Sequence, residues 1–280
     1  MDSFKAWRIP YQGGEAEGGV QALARGDLPE GEVLIRGAYS SLNYKDALAV
    51  TGKGKIVRSF PITPGIDVAG TVAESSAAGI EPGDEVLVTG CGLGEVHDGG
   101  FAEYVRVPAD WVVPLPAGYT PRQAMAVGTA GMTAALALIR MEAAGQRPED
   151  GDILVTGASG GVGSLAVDIL SNAGYRVVAA SGKESAAAHL RELGASEVVK
   201  PEALARSQRP LDKERYAGVV DNVGGELLSE LLPCVGLYGN VAAIGLAGGT
   251  KLDATVMPFI LRGVNLIGIS AANCPRSLRL

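Results

Sequence analysis

The chain is poor in cysteine, histidine and aromatic residues, and each shortage closes off a class of function. Cys91, Cys234 and Cys274 are far apart and odd in number, so they describe neither a disulfide framework nor a paired metal clip. Buried or incidental thiols are the favoured reading. Two histidines, His97 and His189, leave a zinc site few ligands. No block of Lys and Arg interrupts an acidic balance, net charge −7 and pI near 5.0, so no surface is built to neutralise nucleic-acid phosphates. No apolar run reads as membrane-spanning, and Met1-Asp2-Ser3-Phe4-Lys5-Ala6-Trp7 lacks the charged-then-apolar order of a signal peptide. The expectation is a cytoplasmic enzyme with a small-molecule substrate and neither a nucleic-acid nor a membrane partner.

Glycine and apolar residues, by contrast, are plentiful: 40 glycines and 47% hydrophobic content in 280 residues, enough for real cores. Up to about residue 125 short strands alternate with Gly/Pro turns, at Glu32 to Arg36, Val68 to Glu74, Glu85 to Thr89, Ala102 to Val107 and Trp111 to Pro114. From about Gln123 a long helix begins, and strands then alternate with helices. Strands are expected at Asp152 to Thr156, Tyr175 to Ala180, Glu197 to Lys200, Gly218 to Asp221, Asn240 to Ile244 and Asn265 to Ser270. Helices are expected at Gly161 to Ala173, Glu184 to Leu193 and Gly225 to Val235. The fold class is therefore α/β: a β-rich domain at 1–124 and a doubly wound Rossmann domain at 125–280.

The junction of the first of these α/β strands with its helix carries the chemistry. Gly157, Gly160 and Gly163 permit a tight turn, close approach to a pyrophosphate and close helix-on-strand packing, so Ser159, Gly160, Gly161 and Val162 are expected to meet the phosphates. An NAD-reading domain ends its second strand in Asp or Glu; here the strand runs into Ser181-Gly182-Lys183. A hydroxyl, a free N–H and an ammonium hold a 2′-phosphate, with Lys200 as a second cation, so NADPH is the expected cofactor. The competing reading lets Glu184 reach back to the ribose. Gly245-Leu246 and Ser270-Ala271 follow later strands at the edge where nicotinamide lies in such folds.

Longer strings support a resemblance to the medium-chain dehydrogenase/reductase family. They are Pro64-Gly65-Ile66-Asp67-Val68-Ala69-Gly70, Pro82-Gly83-Asp84-Glu85-Val86, Gly99-Gly100-Phe101-Ala102-Glu103-Tyr104 and the Gly-rich turn, in family order. Ile66 stands where zinc-dependent relatives carry His, and Ser40 to Asp46 holds no cysteine. The resemblance thus implies a GroES-like N-terminal domain, no metal and the quinone-oxidoreductase-like branch. Ser41 to Gly54 and Val256 to Arg262 resemble the acrylyl-CoA reductases, the YhdH/YhfP-type subfamily. That implies NADPH-dependent reduction of acryloyl-CoA to propanoyl-CoA. It also implies a homodimer, with the strand at Asn265 to Ser270 as a pairing edge. Relatives return to the first domain after that strand, and Pro275 to Leu280 resembles the start of the return, so the remainder of the return is expected to be missing.

Without zinc, polarisation of the substrate carbonyl must come from hydrogen-bond donors. Tyr44 leads, as acid or as cofactor packing; Asn43 offers an amide N–H; Asp67 either orients water, Tyr44 or ribose, or caps a turn. Thr129 either borders the nicotinamide or caps a helix. Phe259 and Ile260 either close over the nicotinamide or are core residues. Lys53, Lys55 and Arg58 either meet CoA phosphates or form a solvated loop, the latter favoured. The functional alternatives are an NADPH:quinone or alkenal reductase, and an NADPH-binding protein without turnover.

Overall fold

A computed structural model describes residues 3–10, 18–204 and 206–279; the expectations placed on Met1, Asp2 and Leu280 lie outside them. Two compact units emerge. One runs to Thr129 and takes up the chain again from Ala271; the other is Ala130–Ser270.

In the first unit β1 (Phe4–Arg8) and β2 (Gly19–Leu23) form an antiparallel hairpin. β3 (Val33–Tyr39), α1 (Tyr44–Thr51), β4 (Asp67–Ser75), β5 (Glu85–Thr89), β6 (Tyr104–Val107) and β7 (Val113–Pro114) follow. The five strands β3 to β7 form an antiparallel sheet in the order β6-β3-β4-β5-β7. Alternation directs Val33 and Ile35, Val68 and Val72, Val86 and Val88, and Val105 and Val107 into one core, as half-buried strands require.

The helix α2 (Pro121–Ala143) is interrupted at Gly128, whose φ of 50° and ψ of −157° are not helical. By length and composition alone α2 is apolar enough to cross a membrane, which corrects the reading that no such run exists. Ala134, Ala137 and Met141 instead pack into the core of the second unit.

That unit continues with β8 (Ile153–Val155), α3 (Gly161–Asn172), β9 (Val177–Ala180), α4 (Ala187–Glu192), β10 (Glu197–Val199), β11 (Tyr216–Asp221), α5 (Gly225–Leu231), β12 (Val235–Ala243), α6 (Met257–Arg262) and β13 (Asn265–Gly268). Its six strands are parallel, in the order β10-β9-β8-β11-β12-β13. This is the doubly wound arrangement, with its switch point between β8 and β11. Both faces are buried: Ile153 and Val155 enter one core, Leu154 the other.

The boundaries at 124/125 and at 280 are both displaced, for physical reasons. The break at Gly128 lets Thr129 N–H reach the Asp67 carboxylate at 3.0 Å, which keeps the chain with the first unit to that point. After Ser270 the chain rejoins it. Cys91 N–H donates to Ala272 O at 3.1 Å, and Arg276, in the helical turn α7 (Arg276–Arg279), donates to Asp110 O at 2.6 Å and Val112 O at 3.1 Å. The return thus begins within the described residues.

Tyr175 in the second unit illustrates a pH-sensitive part of the core. Burial, then the Glu142 charge and a 3.2 Å hydrogen bond to Glu142, push its phenol from near 10 to about 12. The unfolded chain therefore loses this proton first, and stability falls as pH rises from near 10 to about 12. The loss is about 2 kcal/mol. A urea midpoint measured from pH 9 upward checks it, and Tyr175→Phe flattens the slope.

Candidate active site

Each unit contributes its own polar cluster. In the first, α1 starts at Tyr44 and β4 at Asp67, so the loop before the helix lies beside the start of the strand. The Asp67 carboxylate, fully buried, accepts from the Ser41 hydroxyl, from Asn43 Nδ2 at 3.0 Å, from Thr129 N at 3.0 Å and from the Thr129 hydroxyl. Gly128 makes this possible: a Cβ there would lie 2.8 Å from Asp67 Oδ2, and its φ of 50° is in the glycine-favouring region.

Asp67 is thus an anchor that caps the resumed helix from another element, a sharper version of its turn-capping reading. It is not placed to abstract a proton, because its oxygens are occupied by donors. Thr129 is likewise both capped and part of the network.

Asn43 Nδ2 lies 3.0 Å from both Asp67 Oδ2 and Ser41 Oγ, two acceptors that are hydrogen-bonded to each other and therefore share one amide hydrogen. Ser41 and Thr129 have given their hydroxyl protons to Asp67 as well. What the two hydroxyl oxygens offer outward is lone pairs, which suit ribose hydroxyls or a carboxamide NH2 and not a developing oxyanion. Tyr44 is the exception. It is 65% exposed, and its hydroxyl makes no hydrogen bond to any described residue.

Asp46 was not anticipated. It is buried and accepts Asn43 N–H at 2.8 Å and Ile66 N–H at 3.0 Å, tying α1 to the chain just before β4. Burial raises its pKa, against the pull of those hydrogen bonds. The Asn43-to-Asp46 spacing, an N-cap with an acidic residue three positions on, was the legible signal.

In the second unit the turn after β8 is tightly closed. A Cβ on Gly163 would lie 2.3 Å from Gly157 O and 2.7 Å from Ala158 Cα, so α3 can sit this close only with glycine there. The first intrahelical bond is Ser164 N to Gly160 O at 2.9 Å, and Gly160 has no capping side chain. The N–H groups of Gly161, Val162 and Gly163 are consequently unbonded among the described residues, as an anion cradle requires.

At the end of β9 the Lys183 N–H donates to Ser181 Oγ at 3.1 Å, and Ser181 Oγ donates to Ser159 Oγ at 2.9 Å. The Gly182 N–H makes no hydrogen bond among the described residues. Lys183 and Lys200 are both exposed, and Val199 pairs with Ala180, which sets the two lysines at the ends of neighbouring strands. Asn222, also unanticipated, follows β11 at the switch point: its Nδ2 donates to Thr156 O at 2.8 Å, while its buried Oδ1 has no partner. An orphaned acceptor at that position fits a ligand donor.

The remaining candidates divide. Leu246 and Ile260 are exposed, Phe259 packs into the core, and Ala271 is buried and belongs to the first unit. Lys53, Lys55 and Arg58 are exposed with no shared partner, which suits the solvated reading. Zinc finds no donor set: Ile66 is buried, and no group of three His, Cys, Asp or Glu side chains among the described residues could hold a metal.

Two family descriptions match: "Alcohol dehydrogenase GroES-like domain" over residues 29–117 and "Zinc-binding dehydrogenase" over 161–279. An Escherichia coli protein named probable acrylyl-CoA reductase AcuI is 52% identical over 276 residues, covering 99% of this chain and 85% of that one. The Salmonella enterica YhdH oxidoreductase in complex with NADP superposes with a TM-score of 0.95 at 50% identity, over 98% of this chain and 85% of that chain. The Bacillus subtilis protein YhfP, named a putative quinone oxidoreductase, is 47% identical over 277 residues, covering 99% of this chain and 84% of that one. Its structure with NAD bound gives a TM-score of 0.95, over 100% of this chain and 85% of that chain.

Proposed function

Because the chain belongs to the medium-chain dehydrogenase/reductase superfamily, in its acrylyl-CoA reductase (YhdH/YhfP-type) subfamily, we propose that it uses NADPH to reduce the carbon–carbon double bond of an α,β-unsaturated acyl-CoA, acryloyl-CoA to propanoyl-CoA. The observation that carries the cofactor assignment is the row of unbonded N–H groups at Gly161, Val162 and Gly163 over a turn that only glycine permits. The name of the Escherichia coli relative supports the substrate.

When bound, NADPH supplies a hydride to the β-carbon. The residues of the second unit hold the dinucleotide: the α3 N-terminus takes the pyrophosphate, while Gly182 N–H and the Lys183 and Lys200 ammonium groups take the 2′-phosphate. In the first unit the acceptors Asn43 Oδ1, Ser41 Oγ and Thr129 Oγ1 receive ligand hydroxyl or amide hydrogens. Tyr44, an uncommitted donor, hydrogen-bonds the thioester carbonyl oxygen as charge builds there. The protein is proposed to act in the cytoplasm as a homodimer paired along β13, the end strand of its sheet.

The test is NADPH oxidation with acryloyl-CoA, a quinone and an alkenal, each repeated with NADH. Turnover confined to the quinone selects the reading suggested by the name of YhfP; NADPH binding without any turnover selects a non-catalytic protein. An NADPH-to-NADH ratio of kcat/KM at or below unity overturns the cofactor preference. Within the leading reading Tyr44→Phe lowers kcat by about 10²-fold with stability unchanged. Full kcat in that variant removes Tyr44 from the donor role.

A further inference from the structure

Two of the three thiols lie on the segments that touch where the returning chain rejoins the sheet of the first unit. Cys91 and Cys274 are free and partly exposed, whereas Cys234 is buried in the other unit. Cys91 lies just past β5 with φ 57°, a backbone region that few residues other than glycine occupy. Its N–H donates to Ala272 O at 3.1 Å, and a Cβ on the neighbouring Gly90 would lie 2.8 Å from Ala272 Cα, so the two backbones are in contact. Cys274 N–H donates to Ala271 O at 3.3 Å, closing a turn that keeps Cys274 beside the same contact.

Burial raises the Cys91 pKa most; the Cys274 thiolate raises it further, while Arg279 and Arg276 pull it down. The guanidinium groups of the returning segment thus favour the Cys91 thiolate.

We propose that Cys91 and Cys274 are a modification site, a dithiol that hydrogen peroxide converts to an intramolecular disulfide. One thiolate attacks a peroxide oxygen, breaking the O–O bond; the sulfenic acid forms and the first water leaves. The second thiolate attacks that sulfur, the S–O bond breaks, and the hydroxide leaves as the second water. Two thiols and one peroxide thus give one disulfide and two waters, with sulfur oxidised and peroxide reduced. The bond fastens the return segment to the loop after β5. That loop also holds Glu95, whose carboxylate pairs with Lys45 at 2.8 Å beside Tyr44, so the link tightens a segment next to the proposed donor.

The experiment treats the full chain with hydrogen peroxide under native conditions, alkylates the remaining thiols and maps peptides by mass. The expected product is about 2 Da lighter, contains a Cys91–Cys274 cross-linked pair, leaves Cys234 alkylatable after denaturation and reverts with dithiothreitol. Its Tm rises by roughly 5 °C. Cys91→Ser and Cys274→Ser each abolish the cross-link, and Cys234→Ser retains it. Separate sulfinic acids on Cys91 and Cys274, cross-links only between chains, or an unchanged mass with both thiols still alkylatable each overturn the proposal. The mapping on the parent protein decides even if a variant fails to fold.

Discussion

Asp67→Ala is expected to lower stability by about 3 kcal/mol and kcat/KM by about 10²-fold or more, the two falling together. The carboxylate accepts from Ser41, Asn43 and twice from Thr129, and it is fully buried. Its removal leaves four donors without an acceptor and frees the start of the helix that resumes at Thr129. Water can re-solvate some of these groups, since Ser41, Asn43 and Thr129 are only half-buried, which keeps the cost below the sum of the separate bonds. Asp67→Asn is the sharper probe. The amide keeps one oxygen and brings an NH2 against groups that are themselves donors, so it should do no better than alanine. Urea unfolding and steady-state kinetics on both variants check this. A general base would behave differently, losing one limb of the pH profile while the fold kept its midpoint; that outcome would refute the anchoring role.

The same cluster shows why the site was only partly legible in the sequence. Asp67, Asn43 and Thr129 were marked by motif and position, and the structure does bring them together. Which of their hydrogens remain available is a property of the network, and spacing does not encode it. Asp67, for instance, accepts both the amide and the hydroxyl hydrogen of Thr129, a pairing that lies 62 positions apart in the chain. Ser41 stands in the Ser41 to Gly54 string but carries no role that its position alone reveals, and Asn222 is marked only by an orphaned oxygen that becomes visible once β8 and β11 are paired.

The elements themselves divide along the same line. The six strands of the second unit were legible because continuous apolar runs such as Ile153 to Val155 are bounded by glycine turns. The β1-β2 hairpin and α1 were not, because Phe4–Arg8, Gly19–Leu23 and Tyr44–Thr51 are short and weakly patterned, and tertiary pairing decides them. Gly128 escaped notice for a related reason: a glycine among helix formers reads as tolerated, and its φ of 50° is imposed by Asp67.

Gly163→Ala should weaken NADPH binding by about 10²-fold and lower stability by about 2 kcal/mol. The added methyl would have to occupy a point 2.3 Å from Gly157 O and 2.7 Å from Ala158 Cα. Both are backbone atoms, so no side chain can swing aside, and relief comes only by moving α3 off the turn. That motion carries the N–H groups of Gly161, Val162 and Gly163 away from the anion they are proposed to share, which couples the packing defect directly to affinity. The comparison that isolates the cause is Gly161→Ala, whose methyl would meet Ala130 Cβ at 3.5 Å, an ordinary contact. There the fold keeps its midpoint. Measuring Tm and NADPH affinity on both variants separates loss of a glycine from loss of this close approach; equal stability in the two would show that helix and turn are not locked together by the missing Cβ at Gly163. Because the anion cradle and the packing of α3 on β8 use the same glycine, the cofactor site cannot be altered there without altering the fold, and the dependence of Tm on added NADPH should collapse in Gly163→Ala along with the affinity.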